Sequence, residues 1–336
     1  MKKGVLLLNW GAADSSEKEE VKEFLKEVLM DPMVLDFPFL TRKFLADFKI
    51  IPQKLNEITE AYKKTEWTEG SPLSVISKRL QKKTQQKTQL PTATGMRYGS
   101  PSIQHALYKL ASEEVEQILV IPLFPQYTMS STWTAVDKVI EIQQKKFKNL
   151  QLTFLNSFYK HPDYIQALAD RIMGKLPSEY DKLVFSYRGI PERHERKASE
   201  KAKQYKFTQF ETYKNQCITT TELVCKEVGI DSEKVEITFH TPLGKGEWLK
   251  PSTMETLENY PKIGIKKVVV ISPSHVLDST ETLENISTRG LETFKSAGGD
   301  YFGYIKGLND NEEWAKTLAK WINDWAKREE EKTNEI

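Results

Sequence analysis

The chain has 336 residues, of which 39% are hydrophobic and 29% charged, proportions typical of a soluble globular protein with room for two domains. With 49 basic and 47 acidic residues, its formal net charge of +2 argues against a nucleic-acid-binding protein. Cys217 and Cys225 form no CxxC motif, so a disulfide scaffold or an iron–sulfur cluster is not expected. No apolar run approaches the roughly 20 residues that cross a bilayer. We therefore expect a cytoplasmic protein.

Short apolar segments alternate with longer polar segments of helical periodicity along the chain. This alternation predicts strand–helix units and a mainly parallel α/β sheet. The predicted strands cover residues 4–9, 91–96, 117–122, 151–156, 182–187, 235–239, 266–272 and 301–305. Because they fall into four and four, we expect two similar doubly wound lobes, residues 1–158 and 159–308, with a cleft between them.

The C-terminal segment 311–332 has an apolar stripe at helical spacing. Three of its members are Trp314, Trp321 and Trp325. A stripe of this size must be buried, so we expect a helix that packs back on the first lobe.

Residues 31–49 are more apolar than a surface loop requires. One interpretation is ordinary core. The other is an apolar lip, which would contact either an apolar ligand or the surface of a membrane through residues 33–48. The sequence leaves both open.

Polar and glycine-rich clusters follow the predicted strands. A doubly wound sheet brings such loops to one edge, so both lobes would face a shared cleft. Aromatic rings there suggest a large flat ligand, because rings stack on rings. The GxGxxG fingerprint and the Walker lysine are absent, so a nucleotide cofactor is not expected. The expected lining residues are Trp10, Tyr98, Tyr127, Met129, Trp133, Tyr187 and Trp248.

Acidic and histidine side chains cluster in the second half of the chain. Asp278, Glu281 and Glu284 recur every three positions, and such acids could bind a divalent cation or accept protons. They could equally form the solvated, acidic start of a helix. His240 and His275 each follow or end a predicted strand, where a histidine is either a metal ligand, a base or a structural hydrogen-bonding residue.

Several of these loops together resemble the ferrochelatase family of the bacterial type without an iron–sulfur cluster. The segment Phe185–Pro191 is similar to the family signature Phe-Ser-x-His-Gly-Leu/Ile-Pro. Further similar segments, in family order, are Asn9–Gly11, Met96–Gly99, Pro122–Tyr127, Trp248–Pro251 and Asp278–Glu284.

The resemblance implies two Rossmann-like chelatase lobes and the insertion of Fe(II) into a porphyrin, protoporphyrin IX or a close relative, during haem biosynthesis. It implies no organic cofactor, with porphyrin and ferrous iron as substrates. Glu281 would be the metal-site acid. Asp278, from the acidic repeat described above, is a second expected metal ligand. Tyr127, Met96 and the loop around Trp10 would line the macrocycle.

Arg188 stands where the family has its metal-site histidine. A guanidinium is always charged, offers no lone pair and repels a dication, although it can pair with Glu281 or grip a propionate. The first hypothesis is a working ferrochelatase in which His240 or His275 replaces that base. A second is a porphyrin- or haem-binding protein without metal insertion. A third is a chelatase for another tetrapyrrole or metal.

Overall fold

The computed structural model describes residues 1–204, 211–240 and 246–334. All eight predicted strands are present, and the predicted α/β class is confirmed. The strands are β1 (Lys3–Ala12), β2 (Thr92–Gly99), β3 (Gln117–Pro122), β4 (Gln151–Phe154), β5 (Lys182–Arg188), β6 (Val235–His240), β7 (Lys267–Ile271) and β8 (Tyr301–Ile305).

The strands form two four-stranded parallel sheets with the same order. One sheet runs β2-β1-β3-β4 and the other β6-β5-β7-β8. In each sheet the chain starts near the middle, moves to one side and then crosses to the other. The two halves of the chain therefore repeat one doubly wound topology.

Helices connect the parallel strands. Their bounds are α1 (Lys18–Leu29), α2 (Phe39–Leu45), α3 (Ile51–Thr65), α4 (Pro72–Thr88), α5 (Ile103–Ser112), α6 (Thr134–Lys146), α7 (Pro162–Met173), α8 (Glu192–Gln204), α9 (Tyr213–Val228), α10 (Thr253–Asn259), α11 (Arg289–Ser296) and α12 (Glu312–Asn334). Short 3-10 turns cover Ser232–Lys234 and Tyr260–Ile263. Three π-helical segments cover Ala46–Ile50, Met129–Trp133 and Glu281–Thr288.

Helices cover both sheets, and apolar side chains fill the space between the helices and the strands. In the first sheet, Leu6 and Leu8 of β1 pack with Leu107 of α5 and Val139 of α6. In the second sheet, the equivalent core joins strands β5 and β7 to α10 and α11. Its fully enclosed members include Val184, Val268, Leu257 and Phe294. Near-continuous apolar strands of this kind are expected of a parallel sheet with both faces covered.

The chain divides into two compact units. Unit 1 comprises Met1–Phe124, Ser130–Ser157 and Asn309–Ile336, and unit 2 comprises Pro125–Met129 and Phe158–Leu308. The segment Pro125–Met129 lies inside the first lobe expected from the sequence, yet it groups with unit 2. The backbone N–H of Tyr127 donates to Gln216 Oε1 of α9 at 2.8 Å, which ties this segment to unit 2.

The C-terminal helix α12 contacts α4 within unit 1. Trp314 is fully buried and meets Trp321 edge to face, with ring centroids 5.6 Å apart. Near the other end of the helix, Lys3 Nζ donates to the Ala326 carbonyl at 2.7 Å and contacts Glu330 Oε1 at 2.9 Å. The apolar stripe is thus buried along its length.

The apolar segment around α2 is largely exposed, so its interpretation as ordinary core is wrong. Phe39, Leu40, Phe44 and Phe48 are 58%, 77%, 52% and 68% exposed. Ala46 is the buried member of this stretch. Within the described residues, no helix combines the length and apolar character that crossing a membrane requires.

Candidate metal centre

Three candidate ligands of unit 2 converge on one point, one from the end of β6 and two from the segment that follows β7. One ligand atom each of His240, His275 and Glu281 lies within 4.8 Å of the other two. The two histidine Nε2 atoms are 3.3 Å apart, and His275 Nε2 is 3.9 Å from Glu281 Oε2. Two imidazoles and a carboxylate are a donor set that suits a first-row divalent transition metal such as Fe(II). Among the described residues, this is the one such group. We call these three residues the metal group.

The parallel sheet explains why residues far apart in sequence meet here. Arg188 is the last residue of β5 and pairs in register with His240, the last residue of β6. His275 follows β7, the neighbour of β5 on its other side. The carboxyl ends of three adjacent strands therefore supply the site, next to the point where the strand order reverses. That edge is where open α/β sheets bind ligands.

Close backbone contact brings the β5 and β6 ends together. The Gly189 N–H donates to the His240 carbonyl at 2.8 Å. A Cβ atom on Gly189 would lie 2.6 Å from that same oxygen. A larger residue at position 189 would therefore push the histidine-bearing strand end away.

Both histidines are neutral at physiological pH. Burial lowers the pKa of His240 to about 3, against the smaller opposing effect of the Glu281 carboxylate. Burial also lowers the pKa of His275, and Glu281 again opposes the shift. Neutral imidazoles keep a lone pair on one ring nitrogen, which a metal ligand needs.

Arg188 lies at the edge of this group and forms an ion pair with it. Its guanidinium Nη1 is 3.3 Å from Glu281 Oε2, and the two side chains are 17% and 19% exposed. The Arg188 backbone is fixed as well, since its N–H donates to Ser274 Oγ and its carbonyl accepts from the Tyr213 hydroxyl, both at 2.9 Å. The guanidinium thus competes with a metal ion for the Glu281 carboxylate.

The structure does not bring Asp278 into the group, contrary to its assignment as a metal ligand. Asp278 is 1% exposed, and its Oδ1 accepts from Thr282 Oγ1, the Tyr304 hydroxyl and the Gly307 N–H at 3.0–3.3 Å. A buried carboxylate with three such donors holds the loop that carries His275 and Glu281.

Glu281 opens a π-helix, not the α-helix expected from the acidic repeat. The wider i→i+5 winding of a π-helix changes the angular spacing of side chains three positions apart. Glu281 stays partly exposed at the metal group, whereas Glu284 is 5% exposed. The three acids do not form one solvated face.

Half of the aromatic residues expected to line the ligand site are buried, and so are the two methionines. Tyr98 and Tyr187 are fully enclosed, with hydroxyls bound to Asp31 and Thr221, and so neither offers a ring face to a ligand. Tyr187 points away from the site because it alternates with Arg188 along β5. Met96, Met129 and Trp133 are 2%, 6% and 9% exposed.

Trp10, Tyr127 and Trp248 are the expected lining residues that remain partly exposed. Trp10 donates from Nε1 to the Ser130 carbonyl at 2.9 Å, which fixes its ring beside the start of the second π-helix. Each of these three side chains has the size and partial exposure that stacking on a flat ligand requires.

Comparison with known proteins agrees with the loop motifs. The family model Ferrochelatase matches residues 2–325. The ferrochelatase of Pseudomonas fluorescens strain Pf0-1 is 36% identical over 327 residues, covering 94% of this chain and 96% of that protein. The ferrochelatase of Pseudomonas syringae pv. syringae is 34% identical over the same length, with the same coverage. The chain belongs to the ferrochelatase family.

Ferrochelatases are lyases that form nitrogen–metal bonds, and this chain is an enzyme of that kind, acting in haem biosynthesis. Its substrates are a porphyrin and ferrous iron. Solved chelatase structures share the fold. SirB from Bacillus subtilis with Fe³⁺ aligns with a TM-score of 0.57 at 11% identity, covering 96% of this chain and 95% of that one. A sirohydrochlorin chelatase SirB complex with cobalt gives the same TM-score at 10% identity, covering 98% and 97%.

Sequence patterns missed the residues behind the metal group of this ferrochelatase. Ser186 Oγ contacts His240 Nδ1 at 2.9 Å, and Thr253 Oγ1 contacts Ser186 Oγ at 2.7 Å. The available signal was strand alternation, since Ser186 lies two residues before Arg188 and faces the same side of β5. Thr253 gave no signal, because it reaches the site only through the packing of α10.

Proposed function

We propose that this ferrochelatase receives Fe(II) at His240, His275 and Glu281 and inserts it into protoporphyrin IX or a close relative. The observation that carries this proposal is the convergence of two neutral imidazoles and one carboxylate at the carboxyl edge of β5–β7. These residues supply the lone pairs that an arginine at position 188 cannot. Metal insertion releases two pyrrole protons, and the two more accessible ligands are the proposed acceptors once the ion has left them. His275 is 14% exposed and Glu281 19% exposed, so each would take one proton.

The Arg188–Glu281 pair has a defined part in this proposal. An incoming dication must displace the guanidinium from Glu281, because a cation and a dication about 5 Å apart repel by roughly 6–7 kcal/mol at an effective dielectric near 20. The released guanidinium can then pair with a porphyrin propionate. Arg188 would thus exchange one carboxylate for another during the reaction.

Glu281→Gln tests the proposal directly against Glu284→Gln. Loss of the only carboxylate in the group should lower kcat/KM for iron or zinc insertion at least tenfold, equivalent to about 1.4 kcal/mol. Glu284→Gln should stay within about twofold of wild type, since Glu284 lies outside the three-residue group. Equal, small effects of the two substitutions would refute the metal assignment.

The inactive alternative, a porphyrin- or haem-binding protein, is favoured by the same ion pair, because a guanidinium already occupies the metal-site carboxylate. Arg188→His separates the two functions. If wild type binds porphyrin but does not insert metal, Arg188→His should restore insertion by adding a lone pair and removing a charge. If wild type is already fast, His240→Gln or His275→Gln should abolish turnover.

Porphyrin contact is proposed for Trp10, Tyr127 and Trp248, the partly exposed aromatic residues. Titration with protoporphyrin IX, followed by its Soret band, should saturate at one porphyrin per chain. Trp10→Ala and Tyr127→Ala should each weaken binding by about 0.5–1.5 kcal/mol through the lost ring stacking, in addition to the energy lost with the buried apolar area. Tyr187→Phe is the matched control, because that buried ring should make no contact with the porphyrin. Unchanged binding in both alanine variants would remove these residues from the site.

Peripheral membrane contact is proposed for residues 33–48. Phe39, Leu40, Phe44 and Phe48 expose apolar surface, and Lys49 adds exposed positive charge beside it. Lys43 is also exposed but is paired with Asp47 at 2.7 Å. This combination suits the headgroup region of an anionic bilayer. Sedimentation with vesicles containing phosphatidylserine should recover wild type but much less of Leu40→Glu/Phe44→Glu. Tyr108→Glu, at a comparably exposed aromatic on α5, is the control.

A further inference from the structure

Three buried hydroxyl groups form a chain behind His240. Ser186 Oγ is 2.9 Å from His240 Nδ1, Thr253 Oγ1 is 2.7 Å from Ser186 Oγ, and Thr238 Oγ1 is 2.8 Å from Thr253 Oγ1. All three hydroxyl-bearing residues are fully buried, and His240 is 1% exposed. This row of hydrogen-bonded hydroxyls is therefore sealed from solvent, and it ends at the imidazole of His240. We call these three residues the hydroxyl relay.

The number of protons fixes the direction of the hydroxyl relay. Three hydroxyls carry three protons, and the two oxygen–oxygen contacts use two of them. Among the described residues, the remaining acceptor within hydrogen-bonding distance of any relay oxygen is His240 Nδ1. Every buried hydroxyl proton is used only if Thr238 donates to Thr253, Thr253 to Ser186, and Ser186 to Nδ1. Any other arrangement leaves one buried proton without an acceptor, which is unfavourable.

We infer that Ser186, Thr253 and Thr238 are positioning residues that hold metal-free His240 as the tautomer with Nδ1 bare and Nε2 protonated. The Nε2–H then donates to His275 Nε2 across the 3.3 Å contact. This hydrogen bond requires His275 Nε2 to carry no proton, and an unprotonated nitrogen is also what a metal ligand needs. This inference rests on the proposed function for its consequence but not for its geometry.

The tautomer of His240 affects how tightly the three ligands hold a metal ion. Coordination through His240 Nε2 requires the proton to leave that nitrogen and appear on Nδ1. The hydroxyl relay must then reverse, and one buried hydroxyl proton loses its acceptor. The relay thus weakens the third ligand, so that a metal is held mainly by His275 and Glu281. A loosely held ion suits a site that passes its metal to a porphyrin.

One contact opposes this direction. The Ser186 backbone interacts with the His240 ring in the sense that favours the protonated ring. Its carbonyl would accept from a proton on the His240 ring. It leaves the hydroxyl count unchanged, because a carbonyl brings no proton and a proton on Nδ1 still strands one hydroxyl.

Long-range ¹H–¹⁵N correlation spectra of the metal-free protein test the tautomer directly, with His240 signals assigned by their loss in His240→Gln. The expected spectrum shows a protonated Nε2 and an unprotonated Nδ1. A protonated Nδ1 overturns the inference. Because the tautomer is read without metal or porphyrin, its outcome is separate from whether the three ligands bind iron.

Zinc binding by two variants gives a second, signed test. Ser186→Ala removes the donor to Nδ1 and should raise Zn²⁺ affinity about tenfold, which corresponds to 1.4 kcal/mol. Thr253→Val has a nearly unchanged volume and removes the hydroxyl behind Ser186, but Ser186 keeps Nδ1 as its acceptor. It should therefore keep the tautomer and raise Zn²⁺ affinity less than Ser186→Ala does, by about threefold. Weaker binding in Ser186→Ala, or equal changes in both variants, overturns the inference. If Ser186→Ala does not fold, the Thr253→Val spectrum decides, since a protonated Nδ1 there contradicts the relay.

Discussion

His240 links burial to the pH dependence of stability at the residue scale. Burial lowers its pKa to about 3 in the folded protein, whereas an unfolded histidine titrates near 6.5. Between these values the unfolded state binds more protons. Stability is therefore fully present above about pH 6.5 and falls as the pH drops through this window.

The predicted slope is at most about 1.4 kcal/mol per pH unit for one proton. Urea unfolding from pH 7 to 4 measures it, and His240→Gln should flatten the curve. His105→Gln, which changes an exposed histidine on α5, should leave the slope as in wild type. His275 shifts in the same direction, so a smaller slope should persist in His240→Gln. An identical slope in His240→Gln and wild type would contradict the assignment.

At the element scale, the junction of β5 and β6 depends on Gly189. A Cβ there would lie 2.6 Å from the His240 carbonyl, which is backbone and cannot rotate away. Gly189→Ala should destabilise the protein by roughly 1–3 kcal/mol, the range for overpacking, and should weaken Zn²⁺ binding because His240 moves.

Gly174→Ala is the matched control, because its Cβ would lie 3.3 Å from the Asp170 carbonyl at the end of α7, away from the metal group. Urea unfolding and zinc titration of both variants separate a general effect of alanine from a local one. If Gly189→Ala were as stable as Gly174→Ala and bound zinc normally, the junction would not be tight in solution.

The π-helices show how an element can depart from its sequence pattern. The acidic repeat at 278–284 predicts an α-helical start, and the segment Glu281–Thr288 is π-helical. The second π-helix, Met129–Trp133, occupies the equivalent place after β3 that Glu281–Thr288 occupies after β7. Both therefore open the helix that follows the third strand of their sheet. Such segments are rare and occur frequently at functional sites.

On the scale of the whole molecule, unit 1 is closed by the last helix of the chain. Trp314 is fully buried against its neighbours in this unit. Trp314→Ala should cost about 3–5 kcal/mol of unfolding free energy, because it removes a large buried ring and leaves a cavity. Urea unfolding with circular dichroism detection measures the loss.

Trp67→Ala provides the comparison, since Trp67 is only partly buried and its ring stacks under Arg79 on the surface of unit 1. Its effect should be about 1 kcal/mol or less. If Trp314→Ala lost as little unfolding free energy as Trp67→Ala, α12 would add little to the stability of unit 1.

The sequence by itself determined the eight strands, the α/β class and the family. Apolar β-branched runs and helical periodicity are local signals, and motif order survives without coordinates. It also directed attention to Arg188, Glu281, His240 and His275 individually. It could not show that three of them meet, since their convergence depends on the order and register of β6, β5 and β7.

Tertiary structure decided the remaining roles through burial and side-chain direction. Asp278 and Glu281 are alike in sequence context, yet packing buries one among three donors and leaves the other at the metal group. Tyr187 and Arg188 are neighbours that face opposite sides of one strand. The sequence left the apolar segment at α2 open between core and an exposed lip, and its exposure excludes core. Burial depends on contacts between residues that are far apart in the chain, and local sequence patterns do not specify those contacts.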